Sequence, residues 1–113
     1  MFTQKDLNSI DRSYFIVKGA GCYGVMLQSK NTRHCWYIAN EDLGYCESCR
    51  IYHTHYEGTA MHEHGHGKTL KSCICKIQSH DRYQMAKDAK KRRYAKNRRR
   101  DARINAEDLI AIV

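Results

Sequence analysis

The sequence predicts an α+β fold, with a small antiparallel β-sheet, a short N-terminal helix and a long basic C-terminal helix. Two observations carry this prediction. Short runs of β-branched and aromatic residues recur through the first eighty residues and are separated by turns that contain Gly or Asn. Beyond residue 80 the chain has neither Gly nor Pro and is rich in Ala, Lys and Arg, which favour helices.

The first four elements follow from local patterns. Thr3, followed three residues later by Asp6, resembles the capping box that begins many helices. The β-branched and aromatic runs at residues 13–17, 23–27 and 34–38 then predict three strands. Because short turns separate these runs, we expect them to form an antiparallel meander.

Two further strands are predicted at residues 50–56 and 69–77. The segment between them, residues 57–68, is rich in Gly and His. We therefore expect the two strands to form a hairpin with a long connection.

The final helix is predicted to begin at a cap formed by Ser79 or Asp81 and to cover residues 83–102. Its apolar residues form no continuous stripe, so most of the helix should face solvent or a partner. A separate short turn is expected near Asn105. The apolar residues 109–113, Leu-Ile-Ala-Ile-Val, need a surface to bury against, and a dimer through them is one interpretation.

The basic charge is concentrated toward the C-terminus. The 113 residues include 20 Lys and Arg and 12 Asp and Glu, for a net charge of +8. Residues 1–80 hold nine basic and seven acidic residues, whereas residues 81–103 hold 11 and three. The sequence thus predicts a compact β-rich domain at residues 1–80 and a basic helix with an apolar tail at residues 81–113. A chain of this length supports one modest core and excludes large catalytic barrels.

The predicted compartment decides how the cysteines are interpreted. No apolar stretch has the length of a membrane span or the pattern of a signal peptide, so a cytoplasmic location without membrane contact is expected. There, the six Cys should be metal ligands or buried thiols and not disulfides. Cys22 and Cys35 lie in apolar runs and are expected to be buried.

Two closely spaced cysteine pairs predict a zinc site. Cys46 and Cys49 have the C-x2-C spacing at which two thiolates can bind one tetrahedral ion. Cys73 and Cys75 would face the same side of a strand, so four thiolates could hold a structural zinc ion. The pattern resembles the zinc ribbon and zinc knuckle, in which two cysteine turns clamp a β-hairpin, except that the second pair here is C-x-C. The alternative is that these thiols are ordinary core residues.

Histidines supply a second choice of metal ligands, because neutral imidazole binds zinc well. A Cys2His2 or Cys3His site is therefore an alternative. His80, which follows the other histidines in the sequence, is a further candidate ligand. The opposing interpretation is that most of the histidines are solvated. Residues 62–66 also match H-E-x-x-H, but that metalloprotease motif requires a helix, whereas Gly residues surround it here. The second-choice ligands are His53, His55, His62, His64 and His66.

The C-terminal basic residues predict contact with phosphate. Arginine dominates the segment and binds phosphate in a bidentate manner, and nucleic acid is the commonest counter-charge for such a helix. The helix lacks the apolar face that a membrane surface would require. The predicted contact residues are Lys90, Lys91, Arg92, Arg93, Lys96, Arg98, Arg99, Arg100 and Arg103.

Together these features predict a small, non-enzymatic zinc protein that binds nucleic acid or a nucleic-acid-binding complex and has no small-molecule substrate. One alternative is an acidic protein partner. In size and composition the chain also resembles proteins of phages and mobile elements. Some of these, the anti-CRISPR inhibitors among them, bind a nucleic-acid enzyme and block its loading with nucleic acid, and such an inhibitor is a second alternative. A third alternative is a small metalloenzyme that uses the histidine-rich segment.

Overall fold

The structure, a computed structural model, describes residues 1–42 and 46–112, with side chains described at 1–41 and 46–100. It contains two compact units, Met1–Asp81 and Arg82–Val113. The predicted α+β class, with a short first helix and a long last helix, is confirmed. The elements are helix α1 (Gln4–Asn8), strands β1 (Phe15–Ala20), β2 (Gly24–Ser29), β3 (Cys35–Asp42), β4 (Glu47–Thr54) and β5 (His62–Gly67), and helix α2 (Leu70–Ile112).

The five strands form one antiparallel sheet in which each strand pairs with the next along the chain. The predicted meander of the first three strands is confirmed and continues through β4 and β5. Leu27 of β2 lies opposite Trp36 of β3, and both side chains are fully buried on the core face. Cys35 is buried as predicted, whereas Cys22, between β1 and β2, is exposed, so that prediction is wrong.

Helix α1 begins with the predicted capping box, which is confirmed. The Asp6 amide donates to Thr3 Oγ1 at 3.1 Å, and the Thr3 amide donates to the Asp6 carboxylate at 2.9 Å. Phe2 and Ile10, on either side of the helix, are buried in the core. The cap thus fixes a short helix whose flanking apolar residues anchor it to the sheet.

Helix α2 begins much earlier than predicted. The strand predicted at residues 69–77 is wrong, because this stretch is the first part of α2. Thr69 precedes the helix, and its hydroxyl accepts a hydrogen bond from the Ser72 amide at 3.1 Å. A Thr at this position satisfies an amide that the first helical turn leaves unpaired.

The apolar residues of this stretch also fit a helix better than a strand. Leu70, Cys73 and Ile77 recur at intervals of three and four, which places them on one helix face, and all three are buried. The predicted caps, Ser79 and Asp81, therefore lie inside the helix.

Other predicted boundaries also differ from the structure, beginning with those of the first three strands. Strand β4 covers Glu47–Thr54 and not residues 50–56. The connection predicted at residues 57–68 contains β5. Helix α2 continues to Ile112 through the turn predicted near Asn105. The side chains of the apolar residues 109–113 lie outside those described, so their burial stays a prediction.

Candidate metal centre and basic segment

Six of the seven histidine rings lie in one cluster around Trp36, within the Met1–Asp81 unit. They are contributed by the turn before β3, by β4 and the residue after it, by β5 and by α2. Trp36 stacks on one of the six rings and meets two others edge-on. The six histidines are His34, His53, His55, His62, His64 and His80.

Three of these histidines are close enough to share a metal ion. One ring nitrogen each from His34, His53 and His80 lies within 4.8 Å of the other two, and no other described group of His, Cys, Asp or Glu meets this condition. His53 Nε2 and His34 Nδ1 are hydrogen-bonded at 3.0 Å. Two ligands of a tetrahedral zinc ion with bonds of 2.0–2.1 Å are about 3.3 Å apart, so this pair needs little adjustment.

His80 has the clearest need for a further partner. Its Nδ1 atom is buried and has no hydrogen-bond partner among the described residues. Buried polar atoms in folded proteins are nearly always paired, so this ring nitrogen, beside two other imidazoles, is a candidate ligand atom. A metal ion bound at Nδ1 would satisfy it.

The sheet positions His34 and His53. His53 lies opposite Trp36 in the β3–β4 register, and the two rings stack at 4.0 Å with an interplanar angle of 22°. His34 ends the turn between β2 and β3, where its carbonyl accepts from the Ser29 amide at 3.0 Å. Arg33, just before it, has a φ of 65°, which is uncommon for a residue with a side chain and lets the turn close.

Helix α2 positions His80 through its neighbour Asp81. The Asp81 side chain is fully buried, and its carboxylate accepts hydrogen bonds from Tyr14 Oη at 2.6 Å, Ser29 Oγ at 2.6 Å and Thr32 Oγ1 at 3.0 Å. These bonds join the helix to β2, to the residue before β1 and to the turn before His34. The same network therefore fixes His80 relative to His34.

Burial favours the neutral form of three histidines of the cluster. Burial, followed by the nearby His34 and His80, lowers the pKa of His53 to about 3. Burial also lowers the pKa of His64 and of His80, and in the latter it outweighs the opposing effect of Asp81. Neutral imidazole is the form that binds metal, so the cluster is prepared for an ion at physiological pH.

The four predicted cysteine ligands are not gathered into one group among the described residues. Cys49 and Cys73 are buried and their thiols are hydrogen-bonded to each other, whereas Cys46 and Cys75 are exposed. Residues two positions apart in a helix are separated by about 200° around its axis, so Cys73 faces the core while Cys75 faces solvent. Burial raises the pKa of Cys73 to about 12, which disfavours the thiolate that a metal requires.

The second-choice histidines divide between the two faces of the sheet. His53 is central to the cluster, and its ring lies 4.9 to 5.5 Å from those of His55, His62 and His64. The exposed His66 pairs in register with Arg50, and belongs to none of the ring contacts. His34 was not among the predicted ligands, because its neighbour Cys35 was expected to be a buried thiol and the other predicted ligands lie far from it in the sequence.

The basic segment of α2 lies in the unit Arg82–Val113. Residues 90–100 are all exposed, and within the described side chains none of their Lys or Arg residues is paired with a carboxylate. The Arg98 guanidinium lies 5.8 Å from the ring centroid of the exposed Tyr94. The Arg103 side chain lies outside those described. The positive charge of this segment is therefore available to an external partner.

No protein-family model, curated protein or solved structure matches this chain. Within the described residues, no helix has both the length and the apolar character needed to span a bilayer. Functional inference therefore rests on the histidine cluster and the basic segment themselves.

Proposed function

We propose that this protein is a small zinc-binding protein in which the metal is structural and the basic segment, residues 90–103, binds nucleic acid. The observation that carries the proposal is the convergence of His34, His53 and His80 around a common point. Zinc is one of the common divalent ions that imidazole ligands bind well. The ion would join α2 to the turn before β3 and to β4, which brings together parts of the chain that are distant in sequence.

The surroundings of the histidines favour a structural ion over the metalloenzyme alternative. Catalytic zinc keeps an open position, and hydrolysis needs a general base within hydrogen-bond reach. No carboxylate belongs to the described three-histidine group. Glu63, the acidic residue of the H-E-x-x-H pattern, pairs with Arg50 at 3.5 Å, and it lies in a strand and not in a helix.

Zinc should stabilise metal-free protein. An ion that binds only the folded state adds about 4 kcal/mol when its free concentration is 1,000 times Kd. For a chain of this size each kcal/mol corresponds to about 4 °C in Tm, so a rise of about 15 °C is expected. The measurement is a thermal melt of chelator-treated protein, repeated across a zinc titration.

Two histidine variants test which residues hold the ion. His80→Gln should lose most of the zinc-induced rise in Tm, because it removes a ligand while keeping a polar side chain of similar size. His66→Gln is the matched control, since His66 lies outside the cluster, and it should retain the full rise. No zinc-induced rise in the unaltered protein, or an equal rise in His80→Gln, would contradict the proposed site.

The nucleic-acid part of the proposal rests on exposure and on charge without internal compensation. Eight Lys and Arg residues at positions 90–100 are exposed and, among the described residues, lack a carboxylate partner. Phosphate is a favourable counter-charge for such a surface, and binding releases condensed counterions. The exposed Tyr94 adds a ring on which a base can stack.

Salt dependence is the quantity to measure. Fluorescence anisotropy with a labelled DNA duplex and a labelled RNA hairpin gives log K against log salt concentration, whose slope for duplex DNA is about −0.9 per phosphate neutralised. Replacing Arg98, Arg99 and Arg100 by Ala should weaken binding and reduce the magnitude of that slope by about 3. The matched control replaces three exposed lysines of the first unit by Ala: Lys5, Lys68 and Lys71.

The same titration addresses the alternative of a protein partner. The nucleic-acid part of the proposal would be contradicted if the unaltered protein bound neither the DNA duplex nor the RNA hairpin. It would also be contradicted if the triple-alanine variant kept the salt slope of the unaltered protein. An acidic protein surface would then be the better partner for the segment. The metal part of the proposal is tested separately by the melts.

A further inference from the structure

The three-histidine group leaves one position of a tetrahedral ion without a protein ligand. Structural zinc sites almost always have four protein ligands, whereas a site with three leaves a position for water or substrate. The described cluster offers three further rings near the group, those of His55, His62 and His64. Identifying a fourth ligand among them distinguishes a closed ion from an open one.

Strand β5 contains a bulge at His64. In the β4–β5 register, Ile51 lies opposite Gly65 and Tyr52 lies opposite Glu63, so His64 is an extra residue without a partner in β4. A β-bulge redirects a side chain and often occurs beside a functional site. The extra residue explains why His64 contacts the cluster while the next histidine of the strand, His66, does not.

The His64 ring nitrogens lie outside the 4.8 Å group, so this ring must turn toward the ion to bind it. Ring position nevertheless favours His64 over the other two candidates. Imidazoles that share a tetrahedral ion have centroids about 5 Å apart when the bonds are 2.0–2.1 Å long. The His64 ring lies 5.2 Å from His53 and 4.7 Å from His80, with an interplanar angle of 88° to the latter. The His62 ring is 5.5 Å from His53 and contacts no other of the three predicted ligands.

His55 is close to the group but has the wrong orientation. Its ring stacks on His34 at 4.2 Å with an interplanar angle of 12°. A metal ion lies in the plane of each imidazole that binds it. Two nearly parallel rings, stacked face to face, therefore direct their lone pairs along separate planes and do not converge on one ion.

We propose that His64 is the fourth protein ligand, so that the ion has no open coordination position and joins β5 to β4, to α2 and to the turn before β3. This inference rests on the proposed metal site. Although much of the His64 side chain is exposed, its ring packs edge-on against Trp36 at 5.4 Å.

The test uses cobalt(II), whose visible spectrum reports coordination number. The full-length protein should give the intense bands of a four-coordinate tetrahedral site, and added azide should leave them unchanged because no position is open. His64→Ala should bind cobalt at least tenfold more weakly, since even the loss of a residue that supports a ligand costs about 10- to 100-fold in affinity. Azide should then shift its bands, because it enters the opened position.

His62→Ala and His55→Ala are the matched controls, and both should keep the affinity, the spectrum and the insensitivity to azide. An unchanged spectrum in His64→Ala, or an azide-induced shift in the unaltered protein, would overturn the assignment of His64 while leaving the three-histidine site in place. If the unaltered protein binds neither cobalt nor zinc, the proposed metal site itself is overturned. The two failures are therefore distinguishable.

Discussion

The carboxylate of Asp81 should be among the most important polar groups for stability in the Met1–Asp81 unit. It is fully buried and accepts three hydrogen bonds, from the hydroxyls of Tyr14, Ser29 and Thr32. We predict that Asp81→Ala destabilises the fold strongly, because it removes the acceptor and leaves the three donors without it. Asp81→Asn should cost less, since its amide oxygen can still accept hydrogen bonds.

The magnitude follows from the burial of the three donors. A hydrogen bond to a charged group contributes about 1.5–3 kcal/mol, but Tyr14 and Thr32 are only half-buried and can be partly hydrated once Asp81 is lost. Ser29 is fully buried and would lose its bond entirely, while still accepting from Trp36 Nε1 at 3.1 Å. We therefore expect a loss of about 3–4 kcal/mol for Asp81→Ala and about 1–2 kcal/mol for Asp81→Asn.

Urea denaturation with a chelator present measures both losses without a contribution from bound metal. The matched control is Asp88→Ala. Asp88 lies on the same helix, and its Oδ1 atom accepts a single hydrogen bond from Gln84 Nε2 at 3.1 Å, which the substitution removes. Its effect should stay within about 0.5 kcal/mol. A loss below 1 kcal/mol for Asp81→Ala, or equal losses for its two variants, would refute the reasoning.

Four further predictions concern packing, capping, pH dependence and thiol reactivity. Gly67→Ala should cost about 1–3 kcal/mol in urea denaturation, because the new Cβ would lie 2.9 Å from Cys73 Sγ, whereas Gly65→Ala meets no atom within 4 Å and serves as the control. Thr3→Ala should lower the free energy of unfolding by about 1 kcal/mol through loss of the cap, and a change near zero would contradict it. Because burial raises the pKa of Cys73 from 9.0 to about 12, the unfolded chain ionises there first, so stability should fall as the pH rises above 9. In Ellman titration of the native protein, the exposed thiols should react fast and the buried thiols slowly. The exposed thiols are Cys22, Cys46 and Cys75, and the buried thiols are Cys35, Cys49 and Cys73. Fast reaction of Cys49 or Cys73 would contradict this.

The sequence was sufficient for most of the fold because the relevant signals are local. The capping box at Thr3 and the β-branched and aromatic runs of the first three strands depend only on neighbouring residues, and both predictions are confirmed. The prediction for residues 69–77 was wrong because a short apolar run fits a strand and a buried helix equally well. The spacing of Leu70, Cys73 and Ile77 matches the observed helix.

The candidate metal site shows what ligand spacing alone does not reveal. Sequence motifs favour ligands that are close in the chain, such as Cys46 and Cys49, because one turn can orient both. His34 and His53 are 19 residues apart and meet only because β3 and β4 pair in one register, and His80 joins them only because α2 begins at Leu70. A site assembled from separate elements leaves no compact motif, so its recognition required the sheet register and the true start of the last helix.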